Sequence, residues 1–228
     1  KIAAQMALVH GESGEPQLVY CWFAQIDREG RVYPVAPQRL IEGEALAEIA
    51  RSNFVGNGSS MLVPREIFDA VGGFDSGLRD RDAQGCEDLL FLALASRHYR
   101  FRVVPRHLLG YRLSHVGMST SVDRMLRSFD LVVERITALE PDTASAWAAH
   151  RKDLIRWLAG RAAMGDRPGA ALAILRRMGP RTLGGMIASL PALGRTYFRA
   201  VLVPPWLKQA SRRAILLPSR LLYLDLDW

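Results

Sequence analysis

The stretch that most constrains this chain is GCEDLLFLALA at positions 85–95, where two carboxylates stand at the start of an apolar run and none interrupts it. A helix readily accepts acidic residues in its first turn, because its free N–H groups and its macrodipole favour negative charge there. The stretch therefore predicts a helix that begins at Glu87 and Asp88. Whether this pair only caps the helix or also carries chemistry depends on the sequence around it.

The surrounding sequence alternates between strand and helix patterns, which is typical of the α/β class. Residues 18–26 are rich in β-branched and aromatic side chains, and the turn composition at 27–30 predicts a hairpin. Apolar spacing predicts a helix at 42–52, and Pro64 together with Gly72 brackets a second, short helix. Further strands are predicted at 53–63, 99–104 and 108–113, polar loops at 76–85 and 114–121, and helices from about 122 onward.

Composition limits the class of protein. Hydrophobic residues are 49% and charged residues 23% of the 228, which argues against both wholesale disorder and a polytopic membrane protein. The longest uncharged apolar run near the C-terminus, 182–194, is too short to span a bilayer, which needs about 20 residues. We expect Cys21 and Cys86, which lack metal-ligand spacing, to be reduced packing cysteines in a cytoplasmic protein.

The net charge of +7 comes from the C-terminal part, since residues 151–228 contain 14 Lys and Arg against 4 Asp and Glu. Within it, 165–168 has turn composition between two helical patterns, which predicts an antiparallel helix pair. The basic amphipathic stretch 195–213 fits two alternatives: peripheral contact with an anionic membrane at its inner face, or a packed helix pair with its arginines in water. A tail that binds nucleic acid through charge alone is a further alternative, but we expect no specific nucleic-acid binding.

Three motifs occur in an order that resembles the second half of the catalytic domain of family-two inverting glycosyltransferases, which have the GT-A fold. They are GNGSSMLVPREIFDAVGGFD at 56–75, GCEDLLFLALA at 85–95 and GYRLSHVGMSTS at 110–121. Residues 19–32 are similar to the strand and hairpin that precede this half. The resemblance implies that residues 1–124 are the C-terminal half of a Rossmann-like GT-A domain, followed by an α-helical basic appendage at 125–228.

The resemblance also implies a function, namely inverting transfer of a sugar from a nucleotide-sugar donor to a glycan, lipid-linked or other hydroxyl acceptor in polysaccharide biosynthesis. Because the chain starts at Lys1 without an initiator Met, we expect it to be a segment of a longer protein. The family's nucleotide-binding half, with the Asp-x-Asp motif that holds Mn or Mg and the donor diphosphate, would precede Lys1. Without that half we expect this segment to be inactive. Two matches by letter, Asp80 with Asp82 and Asp225 with Asp227, lie in the acceptor-side loop and at the C-terminus, and we attribute them to chance.

The resemblance assigns roles to individual residues. Asp88 matches the family's general base, which takes a proton from the acceptor hydroxyl, and Glu87 matches its acidic neighbour, which orients the loop or the acceptor. The segment that lines the acceptor and donor-sugar pocket corresponds to Gly56, Asn57, Gly58 and Ser59. At the donor diphosphate the resemblance places Arg112 and Ser119, with His115 completing the metal shell or binding phosphate.

Each role has a structural alternative. The acidic pair can be two helix caps, residues 56–60 an ordinary turn or β-bulge, and His115 a solvated loop residue. Tyr20 and Trp22 offer faces for sugar stacking, although strand aromatics are more often core. Because successive helical residues point about 100° apart, Glu87 and Asp88 do not easily flank one bond as a glycosidase pair must. The alternative function is a non-catalytic module that binds a glycan or a partner.

Overall fold

The structure is a computed structural model that describes residues 1–164, except 13, 28, 33–37 and 113–120, and in addition residues 169, 173 and 174. The fold is mixed α/β, with a small three-stranded sheet and helices. The chain divides into two compact units, of which the first includes Lys1–Trp147 and the second lies within Ala148–Arg213.

The helices and strands follow one another along the chain in this order: α1 (Ile2–Met6), β1 (Leu18–Ile26), α2 (Leu46–Arg51), a 3₁₀ turn (Gly58–Ser60), β2 (Met61–Leu62), α3 (Arg65–Val71), α4 (Gly77–Asp80), α5 (Glu87–Ala95), β3 (Phe101–Arg112), α6 (Val122–Leu139), a second 3₁₀ turn (Pro141–Thr143) and α7 (Ala144–Met164). The helices predicted around 42–52, at 64–71 and at the acidic pair are confirmed.

The sheet has the strand order β2-β1-β3, so that β1 is central. β1 pairs antiparallel with β2 and parallel with β3, in a register that runs from Leu18 opposite Phe101 to Ile26 opposite Arg112. The first four residues of β1 are all buried, because both faces of the strand are covered. The hairpin predicted after β1 is present, since Ile26 bridges Val32 in antiparallel fashion.

β3 is one continuous strand where the sequence predicted two. The predicted break at 105–107 is wrong because Pro105 and Arg106 form a bulge: Cys21 pairs with Val104, and the next residue of β1, Trp22, pairs with His107. Both bulged residues are exposed. A proline is tolerated here because β3 is an edge strand of the described sheet, where a missing N–H removes no ladder bond.

The helices α5 and α6 pack against each other and differ in how they are buried. α5 is apolar on every side, and its residues 89–93 are buried together with Ala95. α6 begins where the sequence predicted a helix, at about 122. It is amphipathic and buries a single stripe of residues, which includes Phe129, Val132 and Ile136. The acidic pair therefore lies in the first turn of the most buried of the described helices.

The second unit is described through part of α7, where Ile155, Leu158 and Ala159 are buried. The predicted turn at 165–168 and the basic stretch 195–213 lie outside the described residues, as does most of the helix predicted between them. Within the part of the chain that the structure describes, no helix is both long and apolar enough to cross a membrane.

Candidate functional site

Asp88 is the second residue of α5 and is partly buried. Its Oδ1 accepts the backbone N–H of Leu89 at 2.8 Å, and the backbone of Gly58 also hydrogen-bonds to the carboxylate. Burial raises the pKa of Asp88 to about 6, and the charge of Glu87 adds to this, while the hydrogen bonds act in the opposite direction. The carboxylate thus titrates close to neutral pH, where a general base is most effective.

Gly58 lies directly against Asp88. A Cβ placed on Gly58 would be 3.7 Å from the Cβ of Asp88 and 3.6 Å from the Cε of Met61, which is ordinary contact distance. The two motifs at 56–60 and 85–88, which are far apart in the sequence, therefore meet in the fold. This contact is the geometric basis of the candidate site.

The segment 53–60 is not the strand that the sequence predicted, and only Met61–Leu62 forms strand β2. The prediction fails because side chains offer the backbone other partners. The Ser60 hydroxyl donates to the carbonyls of Val55 and Asn57, both at 2.8 Å, and the N–H of Gly56 donates to Asn53 Oδ1 at 2.9 Å. The result is a 3₁₀ turn in which Ser60 is fully buried and Ser59 is exposed.

Gly56 joins this turn to the sheet. It has φ +82°, and a Cβ at this position would lie 2.3 Å from the ring of Phe23 on β1. Only glycine fits both the left-handed conformation and the close approach. The Phe23 ring packs edge-on against Tyr111 of β3 at a centroid distance of 6.0 Å, so the turn is anchored close to the carboxyl ends of the two parallel strands.

Asn57, the neighbour of Gly58, is only 6% exposed. Within the described part of the chain, neither its Oδ1 nor its Nδ2 has a hydrogen-bond partner. Most buried polar side chains are paired, and an unpaired one lowers stability by about 1–3 kcal/mol. A carboxamide that can both accept and donate matches a hydroxyl group, which can do the same.

Glu87 has a local structural role. Its Oε2 accepts the backbone N–H of Gly85 at 2.8 Å, which holds the turn before α5, where Gly85 has φ +120°. The preceding N-cap residue, Cys86, donates its own N–H to Ser128 Oγ on α6 at 3.1 Å. Burial raises the pKa of the Cys86 thiol to about 12, so that it stays protonated, and both Cys86 and Cys21 are buried and free, in line with packing cysteines.

Arg112 is the last residue of β3, and its guanidinium Nη1 donates to the Asp27 carbonyl in the hairpin at 2.6 Å. The other two residues assigned to the donor side, His115 and Ser119, lie outside the described residues. Of the two aromatic residues considered for sugar stacking, Tyr20 is 1% exposed and shares hydrogen bonds with Ile41, which makes it a core residue. Trp22 is partly buried and packs against the ring of His107.

The letter match at Asp80 and Asp82 does not fit a metal ion. The Asp82 carboxylate is paired with Arg124 and Arg127, whose positive charges disfavour a cation there. Nor do the described residues contain any group of three or more His, Cys, Asp or Glu side chains that could hold a metal.

The sequence reasoning missed the residues of α6 that hold the loop before Asp88, because nothing in the local pattern of 122–139 relates it to residues 75–86. Comparison with known proteins adds nothing to these observations, because no protein-family model, curated protein or solved structure matches the chain.

Proposed function

We propose that this chain forms the acceptor side of an inverting nucleotide-sugar glycosyltransferase with a GT-A fold, and that Asp88 is its general base. The observation that carries the proposal is the close approach of Gly58 to Asp88, a residue that is partly buried. Asp88 takes the proton of the acceptor hydroxyl as that oxygen attacks the anomeric carbon. The bond from this carbon to the diphosphate breaks, and the nucleoside diphosphate leaves.

The protonation behaviour of Asp88 supports this role. With a pKa of about 6, the carboxylate is mostly ionised at pH 7 and yet more basic than an ordinary aspartate. Glu87 contributes its charge, which raises that pKa, and its hydrogen bond to Gly85, which shapes the turn. Glu87 is thus assigned to orient and tune the base.

Asn57 and Gly58 are assigned to the acceptor. The glycine leaves room for a sugar to approach the backbone beside Asp88, and the buried amide of Asn57 is suited to a hydroxyl on the same sugar. Gly56 shapes the turn, and the exposed Ser59 lies on its solvent side. One carboxylate at the reacting oxygen is enough for inverting transfer, because the electrophile brings its own leaving group.

The roles proposed at the nucleotide-sugar donor depend on the resemblance to family-two glycosyltransferases. It requires a nucleotide-binding half that precedes Lys1 and supplies the Asp-x-Asp motif for Mn or Mg. It also requires Arg112, His115 and Ser119 to act at the donor diphosphate. The acceptor is a glycan, a lipid-linked compound or another hydroxyl compound, and a lipid-linked acceptor fits a cytoplasmic enzyme with peripheral contact at the membrane.

A second candidate function is non-catalytic binding of a glycan. The buried, unpaired amide of Asn57 favours it, since hydroxyl recognition at that position needs no base and no donor. The two functions differ in the role of Asp88, because transfer requires this carboxylate for turnover and glycan binding at Asn57 does not depend on it.

The decisive experiment uses the full-length natural chain that contains these residues. Release of nucleoside diphosphate is measured for a panel of nucleotide sugars with Mn or Mg, with and without glycan acceptors. Asp88→Asn should lower turnover by about 10²–10⁴-fold while the dissociation constant of the donor stays unchanged, because a general base contributes about this much. The matched control is Asp69→Asn, which makes the same change in the exposed ion pair with Arg65 on α3 and should leave turnover unaltered.

Substantial residual turnover in Asp88→Asn would remove Asp88 from the role of base. Saturable glycan binding by calorimetry that is equal in the natural chain and in Asp88→Asn, without any release of nucleoside diphosphate, would instead establish the binding module.

A further inference from the structure

The loop that leads to Asp88 contains a residue in an unusual conformation. Asp82 has φ +50°, and among the described residues no other non-glycine residue has a positive φ. Its N–H donates to the Arg79 carbonyl and the N–H of Ala83 donates to the Leu78 carbonyl, both at 2.9 Å. This is the hydrogen-bond pattern that ends a helix at a left-handed residue, a position where glycine is the usual choice. An aspartate at this position therefore needs a separate reason.

The reason lies in two arginines on α6. Arg127 Nη2 donates to the Asp82 carbonyl at 3.0 Å and to its Oδ2 at 2.5 Å, and Arg124 Nε contacts the other carboxylate oxygen at 2.6 Å. The arginines are three residues apart on the helix and so lie on the same face. Glycine would satisfy the backbone but would lose both ion pairs.

The same helix contacts the loop at two more places. Arg135 pairs with Asp75 at 2.7 Å, and Ser128 Oγ accepts the N–H of Cys86, the residue immediately before Glu87. α6 thus holds the beginning, the middle and the end of the 75–86 segment. Only a few residues separate Asp82 from Asp88, and one of them, Gly85, has the backbone freedom of a glycine.

We propose that Asp82, Arg124 and Arg127 form a latch that positions Asp88 by tying the preceding loop to α6, so that the three are positioning residues for the transfer reaction. This inference rests on the proposed function. Catalysis is sensitive to displacements of a base by about 1 Å, so a loop that moves more freely lowers the fraction of molecules with Asp88 in place.

Because the latch side chains are exposed, the strength of their ion pairs depends on the salt concentration. The three side chains are about half exposed, and exposed ion pairs are weak and screened by salt. The latch therefore opens more often than the apolar core around α5, and we expect its effect to decline as ionic strength rises.

The first variant that tests the latch is Asp82→Gly, because glycine keeps the left-handed conformation and removes the carboxylate. Hydrogen–deuterium exchange is measured at the backbone amides of residues 85–89. We expect exchange about five-fold faster than in the natural chain, as for the loss of two exposed ion pairs, without a decrease in the thermal midpoint. Asparagine tolerates the same φ and keeps one acceptor oxygen. We therefore expect the exchange rate in Asp82→Asn to lie between those of the natural chain and Asp82→Gly. Asp69→Asn, the matched exposed-pair control, should leave exchange at 85–89 unchanged.

In the active full-length protein, Asp82→Gly should lower kcat several-fold with KM unchanged, because the acceptor still binds but the base is in place less often. A residue that only stabilised the fold would lower the thermal midpoint and leave kcat per folded molecule unaltered. Unchanged exchange at 85–89, or an unchanged kcat in an active enzyme, overturns the latch.

The two proposals fail separately. Faster exchange in Asp82→Gly together with no turnover by the natural chain on any donor would retain the latch as the device that holds the acidic pair and would remove the transferase function. If turnover depends fully on Asp88 but Asp82→Gly changes neither exchange nor kcat, the transferase function is retained and the latch is removed.

Discussion

α5 and α6 meet at the candidate site and stabilise it in different ways. α5 is almost entirely buried, since residues 89–93 and Ala95 are buried, and it carries Glu87 and Asp88 in its first turn. α6 buries one stripe and keeps its arginines on the exposed side, where Arg124, Arg127 and Arg135 reach the neighbouring loop. The two helices thus have different roles. The buried helix α5 determines where the Asp88 carboxylate lies, and the amphipathic helix α6 determines how firmly the preceding loop, residues 75–86, is held.

The largest loss of stability should come from a substitution in the buried helix α5. Phe91 of α5 is 1% exposed and its ring lies 5.7 Å from that of Phe68 and 5.3 Å from that of Phe74. Phe91→Ala should lower the free energy of unfolding by about 3–5 kcal/mol, because it removes a buried aromatic ring and leaves a cavity. Urea denaturation measures this loss.

The control is Glu134→Ala on the exposed face of α6, which should change the free energy of unfolding by less than about 0.5 kcal/mol. A loss of less than about 1 kcal/mol for Phe91→Ala would contradict the view that α5 is the rigid partner of the two helices.

The second prediction concerns the carboxylate that α5 places. The folded chain raises the pKa of Asp88 from 3.8 to about 6, so it favours the neutral form. The stabilisation from this group is complete below its ordinary pKa and is lost as pH rises through about 6, by up to roughly 3 kcal/mol. Asp88→Asn, which stays neutral, should therefore be more stable than the natural chain at pH 8, and the difference should close by pH 4.

Urea denaturation at a series of pH values between 4 and 8 gives this difference directly. Asp27 and Glu42, whose pKa values are lowered, contribute in the opposite direction but equally in both proteins, and so cancel. A stability difference that is independent of pH would mean that Asp88 is not held in a desolvated position.

The smallest of the three effects on stability should come from the hydrogen bond that joins α6 to the residue before α5. Ser128 of α6 is fully buried and accepts the N–H of Cys86, so Ser128→Ala leaves that N–H unpaired. We expect a loss of about 1–2 kcal/mol in unfolding free energy and faster exchange of the Cys86 amide. Ser59→Ala, at an exposed serine of the turn, is the control and should be neutral. Equal unfolding free energies for Ser128→Ala and Ser59→Ala would contradict a stabilising role for the hydrogen bond at Ser128.

Much of the local structure could be predicted because it depends on neighbours in the sequence. Pro64 and Gly72 bound α3 as expected, with Gly72 in the left-handed conformation at φ +86°, and the acidic pair starts α5. These signals act within one turn of helix. The resemblance assigned a role to each of the two motifs, but no local rule predicts the approach of Gly58 to Asp88.

The parts that escaped prediction depend on distant or competing partners. The sequence predicts a strand at residues 53–63, but the Ser60 hydroxyl closes a turn with the carbonyls of residues 55 and 57. Proline at 105 suggests a break, but the parallel neighbour β1 keeps β3 continuous across the bulge. The aspartate at 82 looks like an ordinary loop residue until the arginines of α6 are placed beside it.

The bulge at Pro105 and Arg106 also bears on how this protein behaves at high concentration. β3 is an edge of the described sheet, and an edge strand with a regular row of free N–H and C=O groups recruits strands from other molecules. Proline removes one donor from that row, and the adjacent exposed arginine sets a charge beside the gap. A strand from a second molecule would lose its register there, so these two residues protect the sheet from growing into an aggregate.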